Sequence, residues 1–344
     1  MKVFKVVFIF LAIVFIGAVV YFGVQDGDFK AEVTTTINAP AEVVFDEVND
    51  LKNWEHWATW LQAEKTTIYY PQMTLGKDAY AKWENDNKTG QITITESRPY
   101  THSTQHIVFD ETNTAKALEY TWTLTPTDDG SATAVTWQAQ GSLGLFDKMK
   151  FAVRQQSAEE QHTEILTKSL AQLQKVVSHK TKAYTITVNG VRDYSGSYYL
   201  YINAVLRPDQ ISQAIAEKAA QLHDFFKTNG LRPNGELFVL YHEWNLLNKT
   251  AVISVALPTK ERMQTPDKSD VQSGFLPTQR VLKMSLKGDY SNLQETWNEA
   301  ENYLLEHNLK RDNVNIPFEV YSIDKTSTKN PAQWLTEVYI PLSE

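Results

Sequence analysis

Cysteine is absent from the 344-residue chain. That excludes disulfides, thiolate metal centres, thiol nucleophiles and the lipid-modified cysteine of a lipoprotein. Glycine and proline are scarce, at 14 and 12 residues, so collagen-like and low-complexity architectures are excluded as well. Positive charge is never in excess: the formal net charge is -8, with 16 basic against 22 acidic residues up to residue 180 and 17 against 19 beyond it. Neither half offers the basic surface that a phosphate backbone requires, so no nucleic-acid partner is expected. The patterns G-x-S-x-G, G-x-G-x-x-G, the P-loop and H-E-x-x-H are all missing, which removes the usual signals of serine hydrolases, dinucleotide and nucleotide binders and zincins. His102 and His106 share a strand face and His242 adjoins Glu243. Neither pair has a third ligand at a defined spacing, so no metal and no cofactor is expected.

What is present is ample apolar material, 42% hydrophobic and 12% aromatic residues, enough for folded domains. The length predicts two of them. From Val6 to Val24 run nineteen residues without a charge. At about 1.5 Å per residue they reach the thickness of a bilayer's hydrocarbon core, and the run is longer than the apolar part of a secretory signal. Residues 1–28 therefore read as a transmembrane anchor, with residues 6–24 in the membrane. Lys2 and Lys5 precede the run and Asp26 and Asp28 follow it. The positive-inside bias then puts the N-terminus in the cytoplasm and both domains outside it, on a single-pass protein of the cytoplasmic membrane.

Residues 29–178 form the first expected domain. A β-branched strand at 29–38 leads into a short helix after Pro40, and Trp54, Trp57 and Trp60 recur at helical spacing in a second one. Alternating segments at 78–84, 90–97, 102–110, 116–125 and 131–140 predict an antiparallel meander. From Phe146 to about Val177 the pattern predicts one long helix, because Leu166, Leu170, Leu173 and Val177 fall on one side. This order is α+β: a curved antiparallel sheet gripping a long C-terminal helix, with a cavity between them.

The second domain, residues 184–344, is a duplication. LFVLYHEW at 237–244 lies on PFEVYSID at 317–324, and TAVISVALP at 250–258 lies on WLTEVYIP at 334–341. Each copy reads strand, helix, strand, strand, giving a βαββ pair with pseudo-two-fold symmetry and a groove between the copies. Ser291-x-x-Gln294 has the form of a capping box at the start of the second copy's helix.

Two resemblances follow. INAPAEVVFDEVNDLKNWEHWATW, WENDNKTGQITITESRPY and TAVTWQAQG resemble the SRPBCC superfamily, the START-like or polyketide-cyclase-like helix-grip fold, over most of 29–178. GDYSNLQETWNEAENYLLEH, FEVYSI and TEVYIPL are similar to GyrI-like effector-binding domains over 184–344. The first resemblance implies a cavity for an apolar small molecule. The second implies an aromatic pocket with a glutamate at its floor for cationic or polar ligands, and the matching position is Glu337 in TEVYIP. Strand alternation sets Glu337 on one face with Leu335 and Tyr339. Tyr321, Trp297, Tyr339, Tyr290, Tyr241 and Trp244 are the expected aromatic walls. The reading is a membrane-anchored small-molecule-binding protein with two cavities. The alternatives are a hydrolase of reactive small molecules using Glu337 and Tyr321, and effector binding linked to transcription.

Overall fold

A computed structural model describes residues 2–62, 66–85, 88–110, 116–245, 250–266 and 268–343. The chain forms two compact units, Met1–Lys180 and Thr181–Glu344.

The first unit starts with helix α1 (Lys2–Val24), which has no buried apolar stripe and exposes large side chains on every side. Then come β1 (Asp28–Ile37), α2 (Ala41–Asn49), β2 (Thr67–Tyr69), β3 (Tyr80–Asn85), β4 (Lys88–Arg98), β5 (His102–Asp110), β6 (Lys116–Pro126), β7 (Thr133–Ser142), α3 (Leu145–Arg154) and α4 (Ala158–Lys182). The strands make one antiparallel sheet in the order β1-β7-β6-β5-β4-β3-β2. Leu166, Leu170, Leu173 and Val177 of α4 are all buried against it, as their spacing requires. Trp54 and Trp57 belong to this core. The rings of Trp122 and Trp137 stack at 4.2 Å, and those of Trp54 and Trp57 meet them edge-on at 5.6 to 6.2 Å.

The single helix expected from 146 to 177 is two helices. Gln155 stands in the left-handed region with φ 52°, which ends α3. Ser157 then opens α4 with a reciprocal cap: its Oγ accepts from the Glu160 N–H at 3.0 Å, and its own N–H donates to the Glu160 carboxylate at 2.9 Å. A start signal inside an apolar pattern outweighs the continuity of that pattern.

The second unit contains β8 (Thr185–Tyr194), β9 (Ser197–Leu206), α5 (Ile211–Thr228), β10 (Phe238–Asn245), β11 (Thr250–Thr259), β12 (Gln272–Leu276), β13 (Gln279–Lys287), α6 (Leu293–Glu306), β14 (Phe318–Ile323) and β15 (Leu335–Pro341). Its antiparallel sheet runs β12-β9-β11-β10-β14-β15-β13-β8. The expected duplication is present as β9-α5-β10-β11 and β13-α6-β14-β15, joined where β10 pairs with β14. Strands β8 and β12, beyond the expected repeat, pair with β13 and β9. Helices α5 and α6 cover one face through Leu222, Phe226, Ala300 and Leu304. The other face gathers Tyr194, Tyr199, Phe238, Phe318 and Tyr339. The cap ahead of α6 is Asp289, whose carboxylate accepts from the Ser291 N–H at 2.8 Å, so Ser291 is not the capping residue.

Candidate functional site

In the second unit the pocket is built around a glutamate of β14. Alternation along Phe318, Glu319, Val320 and Tyr321 turns Glu319 and Tyr321 to the helix-covered face, opposite Val239 and Val338 of the neighbouring strands. Glu319 is 1% exposed. Tyr241 donates to its Oε2 at 2.7 Å, Tyr321 donates to the same oxygen at 2.8 Å, and Trp297 Nε1 donates to Oε1 at 2.6 Å. Tyr241 comes from β10, Trp297 from the apolar stripe of α6, so both copies of the repeat contribute a donor.

A cavity of about 450 Å³ opens beside this carboxylate, walled by Tyr241, Tyr290, Trp297 and the first turns of α5 and α6. The Trp297 and Tyr241 rings meet edge-on at 5.8 Å, and Tyr290 meets Tyr321 edge-on at 5.3 Å while stacking on Trp334 at 4.5 Å. Burial pushes the Glu319 carboxyl above its ordinary range, against the pull of the three hydrogen bonds, which favour the charged form. Burial also drives the Tyr241 and Tyr321 hydroxyls well above the ordinary tyrosine value, with the Glu319 charge adding to it, so both remain protonated donors. Arg311 lines the same cavity, but its guanidinium is paired with Glu301. Among the described residues no cationic side chain pairs with Glu319. The site is an aromatic box whose floor holds an acceptor without a built-in counter-charge.

Of the residues expected from the sequence, Tyr241, Trp297, Tyr321 and Tyr290 are brought together here. Glu337 and Tyr339 are not. They lie on the opposite face of the sheet, because Glu337 pairs with Val320 while Glu319 pairs with Val338. There Glu337 meets Lys283 Nζ at 2.7 Å and accepts from the Tyr339 hydroxyl at 2.8 Å, and Tyr339 stacks on Phe318 at 4.9 Å. Its charge is therefore already balanced. The side chain of Trp244 lies outside the described residues. Glu319 is the functional candidate that reading the sequence missed. Its signal was in the duplication: laid on its repeat, PFEVY matches LFVLY, so Glu319 stands where the other copy has Val239 on a core-facing position.

The first unit has a cavity of about 540 Å³ between sheet and helices. Phe29, Trp60, Trp83, Phe109 and Tyr120 supply apolar walls, and Asp147, Lys150, Arg154 and His162 of α3 and α4 supply polar ones. His162 stacks on Phe29 at 4.8 Å and its Nδ1 is buried without a hydrogen-bond partner. Burial alone lowers its pKa from 6.5 to about 4. The unfolded chain therefore takes up this proton before the folded one. Stability due to neutral His162 is present above pH 6.5 and is lost as pH falls toward 4, by about 2 kcal/mol between pH 7 and pH 5. Denaturant unfolding of the wild type and His162→Phe at both pH values should show this difference only in the wild type. Parallel pH profiles would mean that His162 is solvated.

Residues 28–178 match the family described as polyketide cyclase / dehydrase and lipid transport, and residues 196–343 match the GyrI-like small molecule binding domain. The chain joins one domain of each of these two small-molecule-binding families. No curated protein matches it. Among solved structures, it is similar to EcmrR in a complex with DNA, at 14% identity over 59% of this chain and 73% of that one, with a TM-score of 0.41. It is also similar to CV1439 from Chromobacterium violaceum, at 16% identity over 43% and 96% with a TM-score of 0.34. A third is SAV2435 bound to tetraphenylphosphonium, at 14% identity over 47% and 94% with a TM-score of 0.34.

Proposed function

We propose that the chain is a membrane-anchored small-molecule-binding protein whose second domain takes an organic cation against Glu319. The observation that carries this reading is a buried carboxylate held by three aromatic donors and, among the described residues, paired with no cationic side chain, facing an open cavity. An incoming cation supplies the missing charge, and the Trp297 and Tyr241 rings favour a planar or aromatic one. A volume near 450 Å³ suits a drug-sized molecule. The first cavity takes a more apolar ligand.

The raised carboxyl fixes the sign of two pH effects. Cation affinity falls as pH drops through the Glu319 pKa, because a neutral acid offers no charge. The ligand-free domain behaves oppositely: the contribution of protonated Glu319 is fully present below about pH 4.5 and is lost as pH rises through the raised value. Titration of a fluorescent aromatic cation across pH, beside melting of the free protein, tests both. A pH-independent affinity would remove Glu319 from the site.

The second reading is hydrolysis of a reactive small molecule, favoured by the 2.8 Å contact between Glu319 and Tyr321. A carboxylate with a raised pKa is suited to act as a base on water, and the tyrosine to donate to a leaving oxygen. A turnover assay on electrophilic substrates separates the two readings.

For the anchor, Lys2 and Lys5 ahead of the uncharged run from Val6 to Val24 and Asp26 and Asp28 behind it support a cytoplasmic N-terminus with both domains outside. A reporter enzyme fused after Glu344 should be active outside the cytoplasm only; activity inside reverses the topology.

A further inference from the structure

Helix α3 presents three different sides. Asp147, Lys150, Phe151 and Arg154 line the first cavity. Toward α1, Lys148 Nζ donates to the Gln25 carbonyl at 2.5 Å. On the third side, Phe146 and Val153 are 75% and 84% exposed, and seven residues bring them two turns apart on one line. No residue of α3 is buried. Single exposed apolar side chains are ordinary on a protein surface, but two aligned on one side of a helix that buries no residue form an apolar stripe.

The position of α3 suggests what covers them. Phe4–Val24 is a 21-residue apolar helix, about 31 Å long, which matches a hydrocarbon core of about 30 Å. Gln25 is the next residue, so the carbonyl that Lys148 holds lies at the end of that span. The chain entering α3 is tied to the same point, since the Leu143 N–H donates to the Gly27 carbonyl at 2.8 Å. A Cβ on Gly27 would stand 2.5 Å from the Leu143 carbonyl oxygen, so only glycine permits this approach. Lys148, Lys150 and Arg154 outnumber Asp147, which favours a surface of anionic headgroups.

We propose that α3 lies in the interfacial layer of the membrane that α1 crosses, with Phe146 and Val153 set among the outer acyl segments and Lys150 and Arg154 against anionic phosphates. The first cavity, of which α3 forms one wall, then opens at the bilayer surface. This rests on the reading of α1 as a membrane span.

The absence of native cysteine allows single probes on the full chain. Val153→Cys, Ile13→Cys in α1 and Val314→Cys, 87% exposed in the second unit, are each labelled with an environment-sensitive fluorophore in vesicles of phosphatidylcholine and phosphatidylglycerol. The expected result is quenching at Val153 by lipids carrying a shallow spin label, several-fold protection from aqueous iodide relative to Val314, and quenching at Ile13 by a deep label. Combining Lys150→Glu with Arg154→Glu should reduce the shallow quenching several-fold. Quenching at Ile13 with free iodide access at Val153 overturns the proposal and leaves the anchor standing. No lipid quenching at Ile13 overturns the anchor and the proposal together. Iodide protection at Val153 without lipid quenching marks a protein contact and overturns it too.

Discussion

Glu319→Gln is expected to weaken binding of a lipophilic aromatic cation by about ten- to a hundredfold, while Glu337→Gln leaves it within about twofold. The first figure corresponds to roughly 1.5 to 3 kcal/mol, the range for a contact made to a charged group. Glutamine keeps the size of the side chain and an oxygen for Trp297 or the tyrosines, so the pocket survives and only the charge is lost. Folding should not suffer. A buried carboxylate without a counter-charge is a cost to the free protein, and the melting temperature of Glu319→Gln should hold or rise. Glu337 is the contrast, since Lys283 already balances it on the other face of the sheet. Fluorescence titration with a cationic dye, repeated with a neutral analogue of the same shape, measures the effect. Equal losses for both dyes, or a loss shared by both variants, would place recognition elsewhere than at the Glu319 charge.

Trp137→Ala should unfold the first unit at far lower denaturant and leave the second unit alone. Trp137 is fully buried, stacked on Trp122 and met by the edges of Trp54, Trp57 and Tyr120. Truncation there leaves a void that rigid indoles cannot collapse into, at a cost of about 3 to 5 kcal/mol. The two units have separate cores, so the transition of the first unit should move while the melting of the unit holding Glu319 stays in place. Both transitions moving together would mean that the units unfold as one. A shift of less than about 1 kcal/mol would mean that the tryptophan cluster packs loosely.

Much of this architecture is legible in the order of the residues, for a physical reason. The nineteen uncharged residues before Gln25, the i, i+4, i+7 spacing of Leu166, Leu170 and Leu173, and the period-two segments of the meander are local patterns, and local patterns fix which element forms and which side is apolar. The repeat of the second half is equally local, because each copy carries its own strand and helix signals. Two finer points are also written locally but lie under stronger patterns: the Ser157-Glu160 cap that splits α3 from α4, and the Val239 to Glu319 exchange between the copies.

The site itself is another matter. Glu-Val-Tyr occurs twice near the C-terminus, at 319–321 and at 337–339, and within each copy alternation places the glutamate and tyrosine on one face. Nothing local tells which face. That is decided by the antiparallel register of β14 and β15, which sets Val320 opposite Glu337 and turns the two triplets to opposite sides of one sheet. One glutamate thereby meets Lys283; the other is enclosed by Tyr241 and Trp297, residues 78 and 22 positions away in the chain. Sequence by itself determined the elements, their apolar faces, the duplication and the membrane-length helix, because each depends on neighbours within a few turns. Only the tertiary structure distinguishes the two carboxylates, since burial and the partners that balance or leave a charge come from strand pairing across long separations.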